Sequence, residues 1–524
     1  MPLTDCRDVP LSTDDPDALG GYETAVALFH GYYNDPFAAI EATLAKHPEF
    51  IMGHCLRAAL LASTTEKAAL PMLRESVEAA EALAAAANRR EQGHIAAARA
   101  WLDGDFEAAV RRWGDVLFEY PRDSLALQIA HLGDFYLGHS AMLRDRIARV
   151  LPAWDEGVPG YGYVLGMHAF GLEETGDYAR AEAAGRKAIE LDPRDPWSAH
   201  AVTHVMEMQG RSADGIVWLE QNGPYWASDN GFAFHNWWHL ALFHLDRGEP
   251  ERALAVYDGA VRPRPSTIVL EMIDASALLW RLHLLGVDAG ERWQELADAW
   301  EPLIDDGFYA FNDAHAMMAM VAAGREAAAD RLLATMQRRA AEGGTNAMMT
   351  REVGLPMCRA LVAFGRGDWD AAVDGLLAAR PVAQRFGGSH AQRDLLALTA
   401  LEAALRSSRA GIAQGSRRRT HRPQAAQHCQ PDAGRADRRA GRQRCSGADD
   451  RSYRGSVIAA RRAFVDHPHL DAGKPAQQCR RLLPRHHRER GGQRVGHHRL
   501  VGKHGNRAIA PCASPGVRDE QMSE

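Results

Sequence analysis

Apolar positions in the middle of the chain recur with a fixed period. Glycines follow one another at intervals of 38 residues, at Gly210, Gly248, Gly286 and Gly324. Each follows an apolar run with helical spacing, at 201–206, 237–243, 277–280 and 316–321. Three of them precede a second helical run, at 251–261, 291–300 and 326–336. A glycine between two amphipathic helices, repeated at roughly 20–50 residues, predicts a solenoid of stacked helix pairs.

Four units share a longer pattern around this glycine. An acidic residue comes next, then an aromatic residue in three of the four, at 104–106, 176–178, 248–250 and 367–369. An alanine stands five residues after each glycine, at Ala109, Ala181, Ala253 and Ala372. Glycine accepts the left-handed end of a helix, and small residues let two helix axes approach to about 8–10 Å. Prolines follow the second helix of three units, at Pro121, Pro193 and Pro265, where they end it.

These units resemble the tetratricopeptide repeat, although the interval of 38 residues exceeds the usual length of about 34. Four stretches point to one particular family of such repeat proteins. They lie at 11–13, 170–178, 200–210 and 235–239. With these motifs the region from about 8 to 408 is similar to the tetratricopeptide repeat protein 38 family. That resemblance implies a helical-repeat fold and carries no established reaction.

The predicted fold is all-α, a right-handed α-α superhelix of about ten helix pairs with a disordered basic tail. We divide the chain into a polar lead-in (1–20), a TPR-like solenoid (21–408) and the tail (409–524). The tail holds 25 Lys and Arg against 10 Asp and Glu, a net charge of +15, whereas the preceding residues carry −22. Its composition offers too little apolar surface to offset the entropy of ordering.

Three interpretations of the tail remain open. It is a basic arm for nucleic acid, a metal-binding segment, or the product of an out-of-frame reading. The metal-binding interpretation uses Cys429, Cys445, Cys479 and Cys512, which lack the short spacings of zinc sites. Patternless arginine, glutamine, histidine and cysteine favour the out-of-frame interpretation.

Composition also bears on location and cofactors. No apolar run approaches the roughly 20 residues that cross a bilayer, and the first residues are acidic where a signal peptide is basic. We therefore expect a cytoplasmic protein. Cys6, Cys55 and Cys358 are far apart, which favours isolated thiols over disulfides. We expect no cofactor, no metal and no contact with a membrane; nucleic acid becomes a partner only if the tail is genuine.

The repeat register aligns four polar side chains near the start of successive first helices. They are Ser198, Asn236, Asp274 and Asn312. Such residues favour helix N-caps, so capping is the simpler interpretation. Histidines add to them: His200 with His204, and His235 with His239, form i, i+4 pairs that each share one helical face. The spacing suits a metal, but there is no HExxH motif, and Glu207 is expected to lie off that face.

In a stacked solenoid these positions line the concave wall. We therefore predict a polar groove rimmed by tryptophan, formed by His168, His200, His204, His235, Asn236, Trp238, His239, Asp274, Asn312, Asp313 and His315. Taken singly, a helical histidine or tryptophan is more often a satisfied core residue. Together they predict a binding or scaffold protein whose groove holds a peptide segment or a small polar ligand. The alternative is a hydrolase- or transferase-type enzyme that uses the strip as an acid–base or metal site; a non-enzyme is favoured, with no catalytic residue assigned.

Overall fold

The computed structural model describes residues 2–407, and this part of the chain is built from 22 α-helices with no β-strand. The predicted fold class, an all-α superhelix of TPR-like helix pairs, is confirmed. The helices are α1 (Pro16–Gly31), α2 (Pro36–Lys46), α3 (Ile51–Ser63), α4 (Leu70–Ala82), α5 (Arg89–Leu102), α6 (Phe106–Glu119), α7 (Ser124–Tyr136), α8 (Ser140–Val150), α9 (Tyr161–Glu174), α10 (Tyr178–Leu191), α11 (Pro196–Met208), α12 (Ser212–Trp226), α13 (Ala233–Asp246), α14 (Pro250–Val256), α15 (Val269–Leu284), α16 (Arg292–Trp300), α17 (Ala310–Ala322), α18 (Glu326–Ala340), α19 (Thr345–Met349), α20 (Leu355–Gly365), α21 (Trp369–Ala379) and α22 (His390–Arg406).

Consecutive helices pack in pairs. The pairs run from α1–α2 to α17–α18, and a further pair joins α20 to α21. A π-helical turn, Thr350–Gly354, links α19 to α20, and α22 comes after the last pair. Another π-helical turn, Tyr257–Val261, follows α14 where the sequence predicts one continuous helix over 251–261.

The recurring glycine and acidic residue form the turn inside a pair. Gly210 and Gly248 have φ of 66° and 74°, the left-handed backbone that ends α11 and α13. The aspartate after the glycine then caps the second helix, because Asp105 Oδ1 accepts from the Ala108 amide at 2.9 Å. Asp368 does the same for α21. The alanines five residues after the glycines are fully buried, as close helix packing requires.

The first helix begins before the predicted start of the solenoid at residue 21. α1 begins at Pro16, inside the segment predicted as a lead-in, with Asp15 as its N-cap. Leu11, before α1, is fully buried. The predicted tail (409–524), with its three interpretations, lies outside the described residues. Within residues 2–407, no helix combines the length and the apolarity needed to cross a membrane.

Helices far apart in sequence also meet. The end of α1 contacts the segment before α13, where the Gly231 amide donates to the Tyr32 carbonyl at 2.7 Å. The segment between α3 and α4 contacts the start of α15, where the Val269 amide donates to Glu66 Oε1 at 3.2 Å. The turn between α5 and α6 contacts the start of α19, where the Thr345 amide donates to a carbonyl of that turn at 3.1 Å. These contacts join segments of the described region that are distant in sequence.

The last helix also packs inward. The Trp280 indole on α15 donates to Thr399 Oγ1 on α22 at 2.9 Å. Beside it, Arg281 forms a buried ion pair with Asp394 at 2.5 Å. At its start α22 meets the end of α9, because the His390 amide donates to a Glu174 carboxylate oxygen at 2.9 Å. The first helices of several pairs are therefore covered by other parts of the same chain.

Candidate functional site

Four histidines from two neighbouring first helices converge in the interior. His200 and His204 lie on α11, and His235 and His239 lie on α13. α11 starts with Asp195 as N-cap and Pro196 at the first helical position, a strong start signal that sets its register. Because α11 and α13 hold equivalent places in adjacent pairs, the two i, i+4 histidine pairs face each other.

The four imidazoles form a compact cluster. One ring nitrogen from each lies within 4.8 Å of the corresponding nitrogen of the other three. His200 Nε2 and His235 Nε2 are 3.1 Å apart. The shortest centroid separation is 4.4 Å, between His200 and His204, and His204 and His239 are 4.6 Å apart. None of the four residues is more than 8% exposed. We call these residues the four-histidine cluster.

Carboxylates stand behind three of the four rings. His235 Nδ1 donates to Asp274 Oδ2 at 2.6 Å. His239 Nδ1 donates to Glu207 Oε2 at 2.7 Å. The expectation that Glu207 lies off the histidine face is wrong, because a residue seven positions after His200 returns to the same side after two helical turns. The third carboxylate, Glu173, comes from α9 and lies 3.5 Å from His204 Nδ1.

Aromatic rings enclose the cluster. Phe170 stacks on His200 with centroids 5.4 Å apart, and the ring of Trp238 stacks on His235 at 5.3 Å. Trp197 and Phe232 close the side towards α1, each with its ring centre 5.1 Å from that of His200. Such a shell keeps water out and lowers the local dielectric constant.

Burial sets the charge state of these groups. It lowers the pKa of His200 and of His204 well below the ordinary value of histidine, and the neighbouring imidazoles add to the shift. Both rings are therefore neutral at physiological pH. Burial likewise raises the pKa of Glu173 well above its usual range. The adjacent Glu174 has a lowered pKa despite its burial, because His390 and Arg393 stabilise its charged form.

The aligned polar residues bind neighbouring helices instead of capping their own. Asn236 Nδ2 donates to the Pro196 carbonyl of the preceding pair at 3.1 Å, and Asp274 accepts from His235. Asn312 Nδ2 donates to the Thr65 carbonyl at 3.0 Å, in a distant part of the chain. The N-caps of α13, α15 and α17 are other residues. Simple capping therefore explains none of these three.

Some of the predicted groove residues lie at the four-histidine cluster and the others lie away from it. His168 lies on α9 near charged surface groups, and burial lowers its pKa. Asp313 and His315 lie on α17, where burial raises the pKa of Asp313 to about 7 and lowers that of His315 to about 4. The four-histidine cluster gathers only His200, His204, His235, His239, Asp274 and Trp238. No predicted groove residue is more than 9% exposed.

Sequence reasoning missed several residues of this site. Glu173 and Glu174 end α9, and with His204 they form a second buried group whose ligand atoms lie within 4.8 Å of one another. His390, which contacts Glu174, comes from α22. Asn346 extends the aligned polar positions to α19, because its Nδ2 donates to the Gly307 carbonyl at 2.9 Å. The sequence could have predicted Asn346, because it stands 34 residues after Asn312, close to one repeat length. The contacts of α9 and α22 are tertiary and leave no pattern in the sequence.

The helix pairs and the glycine–aspartate turns define a protein of the TPR-like helical-repeat class. No family model matches the chain. Over 111 residues, 21% of the chain, it is 32% identical to cellulose synthase 1 operon protein C of Komagataeibacter xylinus, and the match spans 8% of that relative's length.

Two solved structures are similar at low identity. One is human IFIT1, in a dimer with m7Gppp-AAAA, at 13% identity and a TM-score of 0.38, covering 76% of this chain and 88% of that one. The other is the structure of Naa15/Naa10 bound to HypK-THB, at 13% identity and a TM-score of 0.20, covering 76% and 67%. Similarities this low carry no information about a shared ligand.

Proposed function

We propose that this protein is a TPR-like binding protein that holds a small polar ligand on its inner wall. The ligand site is the four-histidine cluster with Asp274 and Trp238 beside it. The observation that carries the proposal is the convergence of four buried imidazoles, two on each of two neighbouring first helices. A packed helix interior normally places apolar side chains at such positions.

Burial favours a small ligand over a peptide. A peptide segment in a TPR-like groove needs side chains that face an open channel, and the eleven predicted residues are at most 9% exposed. Buried polar atoms also remain to be satisfied: in the described part of the chain His200 Nδ1, Asn236 Oδ1 and Asp274 Oδ1 have no hydrogen-bond partner. Each such atom costs free energy unless a partner is supplied.

The proposal extends to identity and location. Motifs at 170–178, 200–210 and 235–239 support membership of the tetratricopeptide repeat protein 38 family. We further propose a cytoplasmic location. A scaffold role towards a protein partner would use other surfaces than the four-histidine cluster.

A thermal-shift screen tests the ligand site. The full chain is heated with a panel of polar metabolites, inorganic anions and divalent cations. A ligand at 100 times its Kd stabilises the folded state by about 2.7 kcal/mol. We expect at least one compound to raise the Tm of the wild type and to have little effect on the His200→Gln variant.

His315→Gln is the matched control, because His315 is equally buried but lies on α17, outside the cluster. It is expected to respond as the wild type does. A shift of the same size in wild type, His200→Gln and His315→Gln places the ligand elsewhere and contradicts the proposal, as does a panel without any active compound.

A further inference from the structure

We propose that the four-histidine cluster is a binding site for one divalent first-row transition-metal ion, with zinc the best fit. The inference rests on the proposed ligand site and names the chemical class of its ligand. Imidazole is the commonest metal-binding group of proteins, and His200, His204, His235 and His239 bring four of them together. Imidazole nitrogens suit zinc, copper, nickel and iron, and four of them around one ion in a tetrahedron favour zinc, whereas calcium and magnesium require oxygen.

The spacing of the nitrogens agrees with one shared ion. Two imidazole nitrogens bound to zinc at about 2.0–2.1 Å in a tetrahedron are about 3.3 Å apart. His200 Nε2 and His235 Nε2 are already 3.1 Å apart, and all four ligand nitrogens fall within 4.8 Å. Binding of all four nitrogens to one ion requires the longest separations to shorten by up to about 1.5 Å.

Hydrogen bonds to carboxylates set the tautomers that binding requires. An ionised carboxylate only accepts, so His235 and His239 each donate through Nδ1 and carry the lone pair on Nε2. His235 Nε2 lies 3.1 Å from His200 Nε2, so its lone pair faces that ring. His200 can donate to it through Nε2, which leaves the buried Nδ1 of His200 without a partner in the described residues. A metal ion in place of this hydrogen bond would accept a lone pair from each of the two Nε2 atoms.

The surroundings match those of known metal sites. Metal-binding histidines usually donate their other nitrogen to a carboxylate, which fixes the ring and makes it more basic. Asp274 and Glu207 stand in this position at 2.6 and 2.7 Å, and Glu173 lies near His204. Phe170 and Trp238 exclude water, which strengthens the attraction between the ion and its ligands.

Four protein ligands favour a structural role for the ion. Catalytic zinc sites keep one position for water or substrate, whereas structural sites use four protein ligands. The cluster joins α11 to α13, and through Asp274 and Glu173 it reaches α15 and α9. A bound ion therefore fastens four first helices together and adds its binding free energy to folding.

The test measures metal in the full chain. The protein is purified without chelator and its zinc, copper, nickel, iron and manganese contents are determined by plasma mass spectrometry. The metal is then removed by chelation and Co²⁺ is titrated while visible d–d absorption is recorded. We expect about one metal ion per chain, tetrahedral Co²⁺ absorption without thiolate charge-transfer bands, and a lower Tm of the apo protein that zinc restores.

Variants assign the site. Asp274→Asn removes a carboxylate behind a ligand and is expected to lower metal affinity by roughly 10–100-fold. His200→Gln and His239→Gln remove ligands and are expected to lower it by more. His315→Gln is expected to bind as the wild type does. If His200→Gln and His239→Gln fail to fold, the wild type still decides whether the protein binds a metal through nitrogen ligands, by its metal content, its Co²⁺ spectrum and its response to the chelator.

Two results overturn the proposal: wild type that contains no metal and binds no Co²⁺, or binding that persists in His200→Gln and His239→Gln. Thiolate bands in the Co²⁺ spectrum place the metal on cysteine and also overturn it. If the metal tests fail but an organic compound stabilises the wild type and not His200→Gln, the small-ligand site stands and only its metal is excluded.

Discussion

Asp123 shows how much a single buried carboxylate contributes to this fold. Its side chain is fully buried, accepts from Arg90 Nε at 2.6 Å and from His94 Nε2 at 2.9 Å, and also caps α7. The Arg90 and His94 side chains are each 1% exposed. This carboxylate stabilises the buried positive charge of Arg90, because no water reaches the guanidinium there to take the place of the carboxylate.

We predict that Asp123→Asn lowers the free energy of unfolding by about 3–5 kcal/mol, because it leaves the Arg90 charge buried without a counter-charge. Urea unfolding followed by circular dichroism measures the change. Asp177→Asn is the control, since Asp177 pairs with Arg180 at the surface and such pairs contribute about 0–1 kcal/mol. Equal losses in the two variants would contradict the prediction.

His139 makes a pH-dependent contribution to the free energy of unfolding. Asp134 and Glu107 raise its pKa to about 9, and Nε2 lies 3.2 Å from the Glu107 carboxylate. The folded protein thus holds a proton that the unfolded chain releases above about pH 6.5. The stabilisation is complete below that pH and is lost as pH rises through about 9. We expect about 1 kcal/mol, because the side chain is 36% exposed and solvent screens it.

The measurement compares the unfolding free energy of wild type and His139→Gln from pH 6 to pH 10. We expect a gap that closes as pH rises through about 9. Glu107→Gln is expected to shift the closing point to lower pH, since it removes one of the two carboxylates. A gap that is constant with pH would refute the assignment.

The sequence predicts the position of a site residue where a rule of local structure applies. The i, i+4 pairs His200/His204 and His235/His239 were predictable because helical periodicity alone puts them on one face. Their meeting did not follow from the 38-residue register alone, because the two pairs are 35 residues apart and the register aligns His200 with Trp238. The burial of the cluster did not follow, because α22 and α9 cover it through contacts that leave no mark in local patterns.

At the scale of the helices, glycines inside helices set how closely neighbouring helices pack. A Cβ at Gly171 of α9 would lie 2.4 Å from the backbone carbonyl of Leu143 in α8. A contact with backbone has no side chain that can rotate away. The α8–α9 packing therefore depends on this glycine.

We predict that Gly171→Ala lowers the free energy of unfolding by at least about 2 kcal/mol, because α8 must move away from α9. Gly20→Ala in α1 is the control: a Cβ there meets no atom within 4 Å, and alanine raises helix propensity by about 0.5–1 kcal/mol. Thermal unfolding of both variants gives the comparison. Gly171→Ala as stable as wild type would show that α8 shifts without cost.

Most element types were predictable because the repeat signals act locally. Gly210 ends a helix through its own backbone conformation and Asp105 caps one through its own side chain, so neither signal depends on distant contacts. The π-helical turn Tyr257–Val261 was not predictable. Its sequence fits an ordinary helix, and an extra residue in one helical turn leaves the apolar pattern almost unchanged.

At the scale of the described region, α22 completes the interior. Removing it exposes Trp280 and leaves the buried Arg281 without Asp394. We predict that a chain ending at residue 407 keeps the Tm of the full chain. A chain ending at residue 388 is expected to aggregate or to bind the dye ANS strongly.

Size-exclusion chromatography and dye binding distinguish the two truncations. If the chain ending at 388 is as monodisperse as the chain ending at 407, the inner packing of α22 is not needed for folding. If the chain ending at 407 also aggregates, residues beyond it contribute to the folded state. Either result contradicts one half of the prediction.

The contacts that join α1 to the segment before α13, and α5–α6 to α19, have a further consequence. In an ordinary solenoid each repeat touches only its neighbours, so the ends fray first and opening spreads stepwise. Here the amide of Thr345 depends on a turn near residue 104. Fraying at either end is therefore suppressed, and amide hydrogens of α1, α13 and α19 should exchange with solvent at one common rate in hydrogen-exchange mass spectrometry.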